Sequence, residues 1–180
     1  MIGILLVVLT GLILWGITTY NGLIQSKEMV KNAMGQIATQ VESRWDALSS
    51  LIDATKQYSK HESEVLENIT RQRSGINPDS NPSEVEADSE IFQDVITRLN
   101  VVVENYPDLK ASNIYENTMD KIDSYENNVR NSRMIFNDTV TRYNRSILVF
   151  PASIIAKMFN FHEEEYFKGT DGKSEMPSWN

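Results

Sequence analysis

The chain has 180 residues, no Cys, and 25 Asp and Glu against 17 Lys and Arg, for a formal charge of −8. The lack of Cys excludes disulfides, thiolate metal sites and a thiol nucleophile. The acidic balance argues against nucleic acid as a partner, since that affinity comes largely from basic contacts to phosphate.

The first element is apolar. Met1 to Ile17 carries no charge, and extended to Tyr20 the run has roughly the 20 residues needed to cross a bilayer core. Trp15 and Tyr20 fall at its C-terminal end, where aromatic rings suit the membrane interface. A cleaved signal peptide would carry a basic n-region and a small-residue cleavage site; no Lys or Arg precedes the run, and WGITTYNG offers no such site. A retained anchor is therefore preferred over a signal peptide or a buried core helix. Lys27 and Lys31 lie just beyond the span, with Glu28 between them, and the positive-inside rule places the N-terminus outside and the bulk of the chain in the cytoplasm.

Residues 22 to 73 contain no Pro and one internal Gly, Gly35. Two interlocking heptad series run through them: Val30, Ile37, Arg44, Leu51, Tyr58, Val65, and Met34, Val41, Leu48, Thr55, Glu62. This 3-4 spacing is the seam of a helix packed at a shallow angle against others. Trp45, Ile52 and Ile69 broaden the face, which suits a bundle better than a two-stranded coiled coil. The first helix is expected to continue out of the membrane, with Asn21-Gly22 as a candidate hinge, and to stop near Gly75, Pro78 and Pro82. Ser83 to Glu86 has a capping-box pattern. A second helix carries Phe92, Val95, Leu99, Val102 and Tyr106, and breaks at Tyr106-Pro107-Asp108. Asn113 and Glu116 would cap a third, whose stripe runs Thr118, Ile122, Tyr125, Val129, Ser132, Phe136, Val140, Tyr143, Ile147. It ends before Phe150-Pro151, and a short amphipathic piece follows over 152–159. The connections are short, so successive helices should run antiparallel. The whole reads as an all-α protein: an N-terminal transmembrane helix over 1–20, then an antiparallel bundle of three long helices plus one short helix over 21–167. Residues 168–180 form a polar tail expected to be disordered.

These residues resemble the LemA family. YPDLKAS at 106–112, LSSLIDATKQYSKHE at 48–62 and FNDTVTRYNRSILVFPASIIA at 136–156 match its motifs in order, with Tyr20-Asn21 after the anchor and Phe161 and Tyr166-Phe167 near the end. Phe136 stands where a Tyr is usual, Asn160 where a Gly is usual and Met34 where a Trp is common. The resemblance covers about residues 1–167. It implies an N-terminal transmembrane helix whose N-terminus lies outside, an antiparallel helical bundle and no established enzymatic activity.

Residues with chemical potential divide as follows. His61-Glu62 places a His beside a carboxylate, but adjacent helix positions diverge by about 100° and no H-x-x-x-H or E-x-x-H accompanies them. Glu62, Glu67 and Glu86 do not supply the paired E-x-x-H motifs of a di-metal bundle, and His162 with Glu163 to Glu165 reads as a solvated face. Arg44 and Glu62 interrupt the seam and call for partners across it; Asp94, Arg98 and Glu104 are the candidates on the second helix. Asn137 and Asn144, seven apart beside the third stripe, would need hydrogen-bond partners on neighbouring helices. The sequons at Asn68, Asn137 and Asn144 fall on helices and read as chance matches. Met158, Phe159, Phe161, Tyr166 and Phe167 need an apolar home, either the bundle end or a partner or membrane surface.

No catalytic, cofactor-binding or metal residues emerge. The expectation is a non-enzymatic, membrane-anchored scaffold in a bacterium, contacting lipid through residues 2–20 and a protein partner through the bundle. The alternative is a binding module for a lipid or small apolar ligand held between the helices.

Overall fold

The computed structural model describes residues 1–56, 67, 68, 70, 71 and 75–168. Tyr58, His61, Glu62, Val65, Ile69 and the tail after Lys168 lie outside the described residues. The described residues include the helices α1 (Ile2–Thr55), α2 (Pro82–Asn105), α3 (Pro107–Lys110), α4 (Asn113–Leu148) and α5 (Ala152–Met158). Strands are absent among the described residues.

Helix α1 runs unbroken through Asn21-Gly22. Its 54 residues extend about 81 Å at about 1.5 Å per residue. The first 20 residues leave their large apolar side chains exposed, whereas Leu23, Val30, Met34, Ile37, Val41, Leu48 and Leu51 are buried. The one helix therefore contributes both a bare apolar rod and the central wall of the core. It stops at Thr55, well before the expected end near residue 74, and Gly75 has no left-handed conformation. At this end the Thr55 hydroxyl donates to the Ile52 carbonyl at 2.6 Å and the Lys56 amide bonds the Asp53 carbonyl, closing a tighter last turn.

The start of α2 is set by Asn81 rather than Ser83. Asn81 accepts from the Glu84 amide at 3.0 Å, and Glu84 accepts from the Asn81 amide at 3.2 Å. Pro82 at the first helical position fixes the backbone for this box. Likewise Ser112, and not Asn113, caps α4, accepting from the Tyr115 amide. The Tyr106-Pro107-Asp108 break is a junction, with Tyr106 ending α2 and Pro107 opening the single turn of α3, whose Leu109 is buried.

Helix α4 runs antiparallel to α1, pairing Glu126 with Arg44 and Asn128 with Gln40. Helix α2 runs parallel to α1, with Asp79 meeting Lys31 and Asp88 meeting Arg44, and antiparallel to α4, with Ser89 meeting Arg133 and Asn100 meeting Tyr115. The core draws on all the long helices, with Phe92, Val95, Leu99 and Val103 from α2 and Ile122, Val129, Phe136, Val140 and Tyr143 from α4. Val102, Tyr106, Thr118, Tyr125 and Ser132 are only half-buried.

Candidate functional site

The most distinctive polar feature lies mid-bundle. Arg44 and Asp88 are both 0% exposed. The Arg44 guanidinium donates to Asp88 Oδ2 at 2.9 Å and to Glu126, and it stacks over the Phe92 ring at 4.2 Å. The Trp45 indole N–H donates to the same Asp88 carboxylate, and its ring meets Phe92 edge-on at 5.0 Å. One carboxylate thus satisfies donors from two consecutive residues of α1. The expected partners are corrected: Asp94 and Arg98 pair with each other on the exposed face of α2 at 2.9 Å. Asp88 was legible, since Val85, Asp88, Phe92, Val95 and Leu99 continue the spacing of threes and fours backward onto the seam.

A second guanidinium, that of Arg133, flanks this centre. It donates to Ser89 Oγ at 2.7 Å and lies over the Phe167 ring. Burial, then the nearby Arg44, lower its pKa, while Glu126, Glu86 and Asp88 oppose them. The cluster joins side chains of α1, α2 and α4, with Arg44 and Asp88 buried and Glu126 at its partly exposed edge.

Toward the apolar end of α1, Asn137 and Asn144 find partners in the C-terminal segment and not on a helix. Asn144 donates to the Glu164 carbonyl and accepts from the Glu164 amide, both at 2.9 Å. Asn137 does the same with Phe167, at 3.1 and 2.9 Å. A side-chain amide presents one donor edge and one acceptor edge, as a peptide group does. Seven helical residues rise about 10.5 Å, and three extended residues span about 10 Å, so the two ladders match in step. The Tyr143 hydroxyl adds a bond to the His162 carbonyl at 2.9 Å. The segment after α5 is thereby strapped antiparallel along α4, with Phe167 seated against Phe136 at 5.2 Å. Ile155, Ala156 and Phe167 are buried, but Met158, Phe159 and Tyr166 are exposed, so only part of the terminal apolar cluster is housed in the bundle.

A cleft of about 550 Å³ lies between α1, the 78–82 turn and this strap. Its charges are mixed and mostly acidic: Lys27 and Lys31 face Glu28, Asp79 and Glu163 to Glu165. Lys31 pairs with Asp79 at 2.6 Å, whose hydrogen bond and charge raise the ammonium pKa. A groove of about 250 Å³ between α1 and α4 holds Met29, Ala33 and Ile135 beside Arg142. Among the described residues no group of three or more His, Asp or Glu is placed to hold a metal. His162 is exposed.

The model of the LemA family matches residues 33–180, most of the chain. The chain belongs to the LemA family. It is similar to Protein LemA of Metamycoplasma hominis, 28% identical over 153 residues that cover 84% of this chain and 69% of that protein. It also resembles Magnetosome protein MamQ of Magnetospirillum gryphiswaldense, 29% identical over 76 residues, 42% of this chain and 28% of that one. LemA membership points to a membrane-associated protein of a family not known for enzymatic activity. Helix α1 is the one helix among the described residues long and apolar enough to cross a membrane. Asn160, at the position where a LemA protein usually has Gly, has φ 61°, the left-handed conformation that Gly adopts freely and Asn tolerates.

Proposed function

We propose that the chain is a non-enzymatic, membrane-tethered scaffold. Residues 2–20 cross the membrane, residues 21–167 form the bundle, and the bundle stands at the cytoplasmic face to bind another protein. The observation that carries this reading is the continuity of α1, which passes from bare apolar rod to core helix with no break. A flexible tether would only localise a domain; a continuous helix also fixes its height and tilt above the bilayer. Lys27 and Lys31, just past the span, support the cytoplasmic side. The ligand-binding alternative is less favoured, because the larger cleft is charged and the smaller falls below the roughly 300–1,000 Å³ of ordinary ligand pockets.

The test is cross-linking in intact cells followed by gentle solubilisation and affinity capture of the full chain. One partner recovered in stoichiometric amount supports the scaffold. Repeated recovery of the chain alone, with cross-linking efficient on a control complex, overturns it.

A further inference from the structure

The bundle carries a second apolar surface at the membrane-proximal end. Leu148, Val149, Phe150, Ile154, Met158 and Phe159, in the α4–α5 turn and on α5, are all more than half exposed, Phe150 at 77% and Met158 at 66%. A soluble face would not leave six large apolar groups together in water.

Its position against α1 says what covers it. Phe159 and Phe161 pack on Tyr20, with ring centroids at 4.6 and 5.9 Å. The Ile155 Cδ1 methyl stands 3.8 Å from the point where a Cβ on Gly16 would be. Gly16 is four residues toward the apolar end from Tyr20, about 6 Å along the helix. The α4–α5 hairpin therefore reaches into the aromatic boundary of the proposed span, between Tyr20 and Trp15, about 6 Å deeper than Tyr20 and within the depth of about 5–10 Å at which amphipathic elements enter a leaflet.

Charge agrees. In a chain of net charge −8, the 24 residues from Thr139 to His162 contain Arg142, Arg145 and Lys157 and no Asp or Glu. Basic side chains flanking an apolar tip suit the headgroup region of an anionic leaflet. The acidic Glu163 to Glu165 lie beyond it, where the strap turns back toward Lys27.

We infer that the α4–α5 hairpin is a second membrane contact, a tip that dips into the leaflet beside α1 and clamps the bundle against the bilayer. This rests on the reading of residues 2–20 as a span. Two attachment points fix the rotation of the bundle about α1, and hence which face it presents to a partner.

The chain has no native Cys, so single cysteines can carry an environment-sensitive fluorophore. Full-length Phe150→Cys, Ile154→Cys, Leu12→Cys and Val101→Cys would each be labelled and reconstituted in vesicles containing anionic lipid. Lipids brominated high or low on the acyl chain, and aqueous iodide, serve as quenchers. Val101 is 58% exposed at the far end of α2, and native helicity is checked for each chain by circular dichroism. The expected result is loss of most of the Phe150 and Ile154 signal to shallow bromines, of Leu12 to deep bromines and of Val101 to iodide alone. Iodide quenching at 150 and 154 with Leu12 still in lipid overturns the clamp and leaves the span intact. Shielding at 150 and 154 from both quenchers marks a protein contact, such as a second copy, and also overturns it. Iodide quenching at Leu12 overturns span and clamp together.

Discussion

Replacing Asp88 by Ala tests the buried centre most sharply. Asp88 is 0% exposed and accepts from both Arg44 and the Trp45 indole. Its loss leaves a fully buried guanidinium with Glu126 as its remaining carboxylate and orphans the indole N–H. Breaking a buried ion pair by removing one partner costs about 3–5 kcal/mol. For a chain of this size each kcal/mol lowers Tm by about 2–4 °C, so a fall of roughly 6–20 °C is expected. The pairing of Arg44→Met with Asp88→Ala separates a stranded charge from lost packing, because the double variant removes both members of the fully buried pair and leaves only the partly exposed Glu126 without its cation. It should be markedly more stable than the sum of the single losses predicts, with a coupling of about 2 kcal/mol or more. The assay is chemical and thermal unfolding of the full chain in detergent micelles, followed by tryptophan fluorescence, for which Trp45 is a reporter inside the site. A cost below about 1 kcal/mol for Asp88→Ala, or strict additivity in the cycle, would refute the role given to this carboxylate.

Three further expectations concern the strap and its approach. Asn144→Ala removes two hydrogen bonds to Glu164 and should cost about 2 kcal/mol, while limited proteolysis detects earlier cutting after residue 160. Tyr143 is held neutral by burial and then by Glu164, which raises its pKa above 10.0. Its contribution is therefore fully present below pH 10 and lost as the pH rises through the raised value. The stability gap between wild type and Tyr143→Phe, read from urea melts, should be constant to pH 10 and close above it. At the end of α5, the Phe161 amide bonds the Ala156 carbonyl at 2.9 Å and the Asn160 amide bonds Lys157, a Schellman closure with Asn160 in the left-handed position. Asn160→Gly should be neutral or slightly stabilising, and Asn160→Val should cost about 1–2 kcal/mol, both read from thermal melts.

Periodicity carried the helices because each stripe is local: Phe92, Val95 and Leu99 of α2 and Ile122, Val129, Phe136, Val140, Tyr143 and Ile147 of α4 are buried as spaced, while Val102, Tyr106 and Tyr125 are half-buried. The end of α1 at Thr55 was not legible, since the heptad spacing of the seam continues past it in the sequence through Tyr58 and Val65. The caps were misplaced by one or two residues because several polar residues in each loop qualify, and the choice falls to Pro82 and to the geometry of Ser112. Arg44 announced itself as an interruption of the seam, but its partners required knowing that helices α2 and α4 approach it from two sides. The asparagine ladder was invisible as a ladder, since its other half is backbone, which has no sequence signature.

The central claim is that α1 holds the bundle against the cytoplasmic face of the membrane, and one cysteine tests it. Full-length Val101→Cys is expressed in cells and treated with a membrane-impermeant maleimide, before and after permeabilisation, and the label is followed in the membrane pellet. The account predicts no labelling in intact cells and full labelling of pelleted protein once they are opened. Labelling in intact cells, or recovery of the labelled chain in the soluble fraction, would contradict it.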